Sequence, residues 1–529
     1  RISEYLIMCS NGMVVTPHHL ATQSALSILR KGGTAIEATV AAAATIAVVY
    51  PHMNSIGGDG FWLIIPPTGE PIVIEGCGKA GSLVSHIFKK NEKIPYRGPK
   101  SVLTVAGTVG AWQEALEYVQ EFGYNTLSTA ELLSDAIMYA EGGFPVSSFQ
   151  ENDSKEFVKH EKVCWEFERV FLPNGKIPEV GQKFYQRDLA KSLKIMAMHG
   201  LNSFYHGELA ELITLDLVRL GLPITASDLA EYKAVRKEPL QINHNSGVLY
   251  NTPPPTQGIA SLTILGILDR LHTEDMDAGE FIHKTVEATK LAFTVRDQHI
   301  TDPEYMKVDV ETLLKGRTLS AMSREVDPDK ALPGGHSQIP GDTIWMGVMD
   351  KMGFSVSFIQ SIYHSFGSGV VLPNTGILWH NRGTAFNLEK GHILCLQSGK
   401  KPLHTLNPAA AILNDSRILL YGTRGGDGQP QTQAAVFHRY VIQGLPLYKS
   451  LSDPRWVYGR LAGDHDDTLK IENRFSEETI KYLESRGHKI ELYPPYSEKM
   501  GQAGALVRHI NGIMEGASDP RSNGSAAGF

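Results

Sequence analysis

A hydroxyl is a weak nucleophile until a base lies beside it. A protein chain can supply both at once by being cut immediately before a threonine, whose freed α-amine then takes the hydroxyl proton. Thr343 is placed for that chemistry. Before it runs ALPGGHSQIPGD, residues 331 to 342, a loop rich in proline and glycine, and from it TIWMGVMDKMGFSVSF reads as a β-hairpin turning at DKMG. On the second strand Phe354, Val356 and Phe358 alternate with Ser355 and Ser357, which predicts one apolar and one polar face. A threonine at an ordinary strand edge would look the same in isolation. The argument for more is that a loop fit to be cut ends on this hydroxyl. Two further features suit acyl chemistry. The pair Gly425-Gly426 lacks Cβ atoms, so its backbone N–H groups can approach a developing oxyanion, although a plain turn also uses such a pair. Arg382 and Arg424 carry guanidinium groups that fork onto carboxylates, although solvated loops also carry arginines.

Several elements must position these residues. HHLATQSALSILRKGG places Leu20, Ser24, Ile28 and Leu29 on one helical stripe and stops at Gly32-Gly33. Thr34 and Glu37 then form a capping-box pattern ahead of AIEATVAAAATIAVVY, whose small residues imply close helix packing up to Pro51. GGDGFWLIIPPTGEPIVIEG reads as a glycine-rich turn and two strands. Residues 107 to 232 read mostly as amphipathic helices, GVLYNTPPPTQGIASLTILGIL as strand, proline turn and helix, and EETIKYLESRGHKIELY as a helix and strand. Blocks of helices and blocks of antiparallel strands predict layered α+β architecture, or sheets sandwiched between helices.

The 529 residues include 42% apolar and 20% charged types, the composition of a folded globular chain. A net charge of −7 and the lack of a Lys/Arg-rich run argue against nucleic acid or an anionic membrane as partner. The longest aliphatic run, Val40 to Val49, is about half the roughly 20 residues that a bilayer requires, so a buried helix is expected there and no membrane span. Cys9, Cys77, Cys164 and Cys395 lack metal or disulfide spacing and read as free thiols. No basic-then-apolar leader opens the numbered chain, which leaves the compartment open, with the cytoplasm slightly favoured.

Six blocks, PGDTIWMGVMDKMG, PLHTLNPAAAIL, GTRGGDGQPQ, NTPPPTQGI, NSIGGDGFWLI and GASDPRSNGSAAGF, together resemble the γ-glutamyltransferase family of N-terminal-nucleophile hydrolases, in order from about Gly12 to the last residue. The resemblance implies a four-layer αββα sandwich of the α+β class. It places self-cleavage at Asp342–Thr343, with a large subunit 1–342 and a small subunit 343–529 forming one αββα domain, a heterodimer that could pair further. Thr343 would be the nucleophile and, through its α-amine, the base. Ser361 falls where the family has a hydroxyl on the nucleophile, and Gly425 and Gly426 fall at its oxyanion hole.

The chain departs from that family at the groups that hold an amino-acid head. The family's arginine is replaced by Cys77, its acidic residue by Ala385, its serine pair by His404-Thr405, and an asparagine by Tyr363. Without its counter-charge, a buried ammonium would cost several kcal/mol. Arg382 and Arg424 remain as surplus positive donors, so an acyl group bearing a carboxylate but no ammonium is expected. That profile resembles the family's branch of oxamate amidohydrolases and cephalosporin-type acylases. The expectation is a self-processing N-terminal-threonine amidohydrolase for a small-molecule amide, needing no cofactor or metal. An oxamate-like small acid is favoured over a glutaryl group, because Tyr363 and His404 narrow the pocket. The alternatives are a true γ-glutamyltransferase, or an uncut inactive relative that binds or scaffolds.

Overall fold

The hairpin that carries Thr343 forms as strands Asp342–Asp350 and Ser355–Tyr363, paired antiparallel with Val348 opposite Val356. Its turn is built by one carboxylate: Asp350 Oδ1 accepts the Gly353 N–H at 2.9 Å and the Phe354 N–H at 3.0 Å. Gly353, at φ +107, adopts a conformation that a side chain would strain. In this computed structural model residues 6–334, 341–461 and 464–529 are described, and residues 335–340 of the loop before Thr343 lie outside them.

Two seven-stranded sheets, with every strand pair antiparallel, stack face to face. One runs Ser525–Gly528, Gly12–Thr16, Asp342–Asp350, Ser355–Tyr363, Asp59–Ile65, Ile72–Gly76, Val235–Lys237. The other runs Ile7–Cys9, Met514–Ser518, Gly504–Arg508, Ile418–Gly422, Ala409–Leu413, Gly247–Asn251, Leu240–His244. Residue parity divides each strand between two cores. Met13, Val15, Phe61, Leu63, Trp345 and Met349 pack between the sheets with Ala410, Leu420 and Leu506. Their neighbours Val14, Trp62, Ile64, Ile344, Met346 and Val348 face the outer core with helices His19–Arg30 and Ala35–Val49. On the far side Leu249, Ala409, Leu419 and Val507 meet helices Gly258–Arg270 and Ala278–His299. The layers are therefore α, β, β, α.

The capping box at Thr34 and Glu37 is present, and all fifteen residues of Ala35–Val49 are buried, which accounts for their small size. No helix among the described residues is long and apolar enough to cross a membrane. One expectation needs correcting. Ser355 and Ser357 do not form a wetted face; they point into the sandwich, where Ser357 Oγ accepts the Trp345 indole N–H at 3.0 Å and Ser355 Oγ accepts from Arg508 at 3.2 Å. A sheet covered on both sides buries both parities, so alternation here separates two interiors rather than core from water.

Trp345 lies in a sleeve of glycines from both sheets. A Cβ on Gly504 would come within 2.6 Å of its ring, and one on Gly347 within 2.8 Å; Gly422 is closer still. Gly422→Ala is expected to destabilise the fold by about 1–3 kcal/mol through overpacking. A lower denaturant midpoint with an unchanged transition slope would register it.

Candidate active site

Thr343 is the second residue of its strand and 1% exposed. The ladder to the neighbouring strand shifts register between Asp342 and Ile344, so side chains rather than regular pairing hold this end. One hydroxyl does most of it. Ser361 Oγ donates to the Asp342 carbonyl at 2.6 Å, accepts the Thr343 hydroxyl at 3.2 Å and accepts the Tyr363 N–H at 2.8 Å. The carbonyl of the expected scissile bond is thus polarised by the group that touches the expected nucleophile. Tyr363 pays for this arrangement with a left-handed backbone at φ +80, uncommon for a bulky residue and of the kind stored at functional sites.

Gly425 and Gly426 lie in the turn between strand Ile418–Gly422 and helix Gly428–Phe437, at φ +121 and +52. Among the described residues neither N–H donates to a partner, whereas their carbonyls are taken: Gly425 O by the Gly428 N–H at 2.7 Å, and Gly426 O by the Gln429 N–H at 3.1 Å and Gln257 Nε2 at 2.9 Å. Arg424, immediately before them, reaches Asp342 Oδ1 at 3.5 Å, which brings the glycine turn to the threonine's end of the hairpin.

Arg382, His404, Thr405 and Tyr363 form a second group. Arg382 is 1% exposed, its guanidinium carbon stacks 3.7 Å from the Tyr363 ring centroid, and one arm donates to Thr405 Oγ1 at 3.3 Å. Among the described residues the other arm, Nη2, has no hydrogen-bond partner, and neither has either ring nitrogen of the buried His404. Burial, and after it the Arg382 charge, holds the His404 imidazole well below its usual pKa, so the ring is neutral. Asp59 Oδ2 lies 4.0 Å from His404 Nε2 and 3.8 Å from His380 Nδ1. Burial pushes the Asp59 carboxyl up to about 7, opposed by Arg382 and by the Gly107 and Gly78 backbone. Two residues join the groups. Tyr363 touches Ser361 with its backbone and Arg382 with its ring, and Gln257 Nε2 donates to both Thr405 O, at 3.0 Å, and Gly426 O, at 2.9 Å. Arg296 Nη1 in turn fixes the Gln257 oxygen at 2.8 Å and Asp427 at 2.7 Å.

Cys77 is buried on a cavity of about 670 Å³ lined also by Lys79, Lys237 and Lys401, and Ala385 is half-buried at the end of the short turn that begins with Arg382. A cavity of about 690 Å³ near Glu70, Tyr250 and Arg270 holds none of these residues. Both arginines are buried, so the solvated-loop reading of them fails. Sequence reasoning assigned no role to Asp59, Gln257, Arg296 or His380. The first two stand inside the blocks GGDG and NTPPPTQGI, and that is the only signal they gave. Folding also gathers His283, Glu287 and His488 to within 4.8 Å of one another, a grouping that spacing did not predict. Each is engaged already: His283 with His488 at 2.7 Å and Asp327 O at 2.7 Å, Glu287 with Lys290 at 2.8 Å and the Leu332 N–H at 2.9 Å. They read as an anchor for the segment leading to the loop before Thr343.

A four-layer αββα sandwich with a buried threonine near the start of an inner strand fits the class of N-terminal-nucleophile hydrolases. The gamma-glutamyltranspeptidase family profile matches residues 21–529. The chain is 53% identical to the oxamate amidohydrolase proenzyme of Klebsiella pneumoniae, over 98% of this chain and 99% of that one. It is 38% identical to a glutathione hydrolase-like proenzyme of Bacillus subtilis, over 98% of each. The crystal structure of a cephalosporin acylase from Bacillus halodurans superposes with a TM-score of 0.91 at 31% identity, covering 100% of this chain and 97% of the other. This protein belongs to the gamma-glutamyltranspeptidase family, as an amide hydrolase.

Proposed function

We propose that the chain cuts itself at Asp342–Thr343 into subunits 1–342 and 343–529 and then hydrolyses a small amide whose acyl group carries a carboxylate, with an oxamate-like acid favoured over a glutaryl group. The observation that carries this reading is Arg382: a buried guanidinium with one arm on Thr405 and the other without a partner among the described residues, beside a carboxyl that burial pushes up to about 7. A carboxylate is the group that such a donor lacks, and the Ala385 methyl offers nothing to an ammonium. Tyr363 packs against Arg382 and His404 against Phe61, and this bulk beside the guanidinium favours a short acyl chain. The oxamate activity named for the Klebsiella relative supports the same size of acid.

In the mechanism Thr343 Oγ attacks the amide carbon while its α-amine takes the hydroxyl proton and passes it to the leaving amine. The Gly425 and Gly426 N–H groups hold the oxyanion, and water then hydrolyses the acyl ester. The discriminating experiment compares ammonia release from oxamate with anilide release from a γ-glutamyl anilide. Fast oxamate turnover is expected, and a clear preference for the γ-glutamyl compound would overturn the substrate assignment.

Asp59 gives this site a pH signature. Near and above pH 7 its carboxyl ionises and supplies Arg382 with an internal counter-charge that competes with the substrate's. On this basis kcat/KM for the acid amide falls as pH rises through about 7, and Asp59→Asn removes that fall. Stability moves in the same direction. The folded-state pKa lies above the ordinary value of 3.8, so the contribution is full below that value and is lost as pH rises through about 7. Thermal unfolding of Asp59→Asn should therefore depend less on pH across that window.

A further inference from the structure

The residue on the acyl side of the expected scissile bond is held at two points. Its carbonyl accepts from Ser361 Oγ at 2.6 Å, and its side-chain carboxylate faces Arg424 Nη2 at 3.5 Å. Arg424 is itself 5% exposed, with Nη1 3.6 Å from Glu498 Oε2 and 3.4 Å from Met53 Sδ, and its Nε without a partner among the described residues. The half-buried Asp153, which accepts from Ser365 Oγ at 2.7 Å, adds a third carboxyl to its surroundings. Burial pulls the Arg424 pKa down, yet Asp342, Glu498 and Asp153 outweigh it and leave it above its usual value, so the guanidinium stays charged. The strand ladder is irregular between Asp342 and Ile344, so regular pairing does not fix the peptide to be cut.

We propose that Asp342 and Arg424 are positioning residues for self-cleavage, a side-chain clamp that holds the Asp342 carbonyl against Ser361 and in reach of Thr343 Oγ. This rests on the reading of Thr343 as the nucleophile. The step balances within the chain plus one water. Thr343 Oγ bonds to the Asp342 carbonyl carbon, the C–N bond breaks, and the hydroxyl proton passes to the nitrogen, which becomes the α-amine. Water then splits the ester, leaving a carboxyl on Asp342 and a proton on Thr343 Oγ. With the carboxylate clamped, the scissile carbonyl cannot swing away from Ser361 while the register is open. With the clamp gone, one hydrogen bond to a single hydroxyl must do the same work.

The test is a pulse-chase of the full chain in cell-free translation, followed on denaturing gels. Asp342→Asn keeps the shape and loses the charge, and is expected to slow the cut by about tenfold or more, as for loss of a charge-assisted contact. Asp342→Glu should recover part of the rate. Arg424→Met should slow the cut similarly, and the double variant should be no slower than either single one, because each removes the same contact. A purely structural role would give neither the glutamate recovery nor the non-additivity. Asp342 is about one quarter exposed, so its asparagine variant is expected to fold and decides the matter even where Arg424→Met does not. A wild-type rate for Asp342→Asn, or multiplied losses in the double variant, overturns the clamp. Sequencing the small subunit from its first residue keeps the two readings apart: a start other than Thr343 in the wild type sinks the nucleophile assignment, whereas a start at Thr343 with unslowed variants sinks only the clamp.

Discussion

Thr343→Ala leaves one uncut polypeptide of 529 residues and abolishes amide hydrolysis, with a loss of at least about 10⁴-fold. Two functions disappear together. The methyl side chain cannot attack the Asp342 carbonyl, so no α-amine is released, and the uncut chain then lacks both nucleophile and base. The proposed oxyanion donors at Gly425 and Gly426 remain, yet they act on a substrate that nothing attacks. Thr343→Ser keeps a hydroxyl on the same atom chain and should still cut, more slowly, because the β-methyl that restricts the threonine rotamer is gone. Intact-mass measurement reports the cut and ammonia release reports the turnover. A variant lacking the hydroxyl that is still cut at residue 342 would move the nucleophile elsewhere. The exchange should leave the fold standing, since it deletes one hydroxyl and one methyl from a strand that hydrogen-bonds on both sides through Gly347 to Asp350.

Arg382→Met produces the second large effect, a selective one. The thioether fills much of the same space against Tyr363 but offers a carboxylate nothing, so kcat/KM for an acid amide such as oxamate should fall by about 10²–10³-fold, in line with removing one partner of a buried charge pair. For oxamide, the neutral counterpart, the same substitution should change kcat/KM little, and the ratio between the two substrates is the informative readout. Arg382→Lys should recover only part of the loss, because an ammonium is a point charge and cannot span both carboxylate oxygens while also reaching Thr405 Oγ1. Equal losses on the acid and the neutral amide would assign Arg382 to structure rather than to recognition.

What could be seen in the sequence and what could not divide along physical lines. The hairpin, the capping box at Thr34 and Glu37, the stop at Gly32 and the glycine turn at 425 and 426 are local events, written within a few residues of where they occur. The place of Thr343 could be read for the same reason, since its loop and its strand adjoin it. The two buried faces of Ser355–Tyr363 could not, because an alternation of serine and apolar residues does not say whether the serines meet water or a second sheet. Nor could the meeting of Arg382, Asp59, His404 and Gln257, which come from separate segments and converge only when the two sheets stack. The six sequence blocks carried the family, and with it the sandwich. The partners of Arg424 depend on tertiary placement alone: the same arginine read as a substrate anchor lies 3.5 Å from the Asp342 carboxylate, beside the proposed cleavage bond.

The shared hydroxyl of Ser361 has one proton, and in the uncut chain that proton is committed to the Asp342 carbonyl, which forces Thr343 to be the donor between them. The proposed cleavage removes the carbonyl's tether. Ser361 can then turn its proton toward Thr343 Oγ, and Thr343 can release its own toward the new α-amine. The bond between the two hydroxyls reverses polarity, so the same pair that first primes a peptide for its own scission afterwards supports an alkoxide as it leaves the acyl ester. The proposed maturation is thereby also a change in the direction of a single hydrogen bond, made once per molecule.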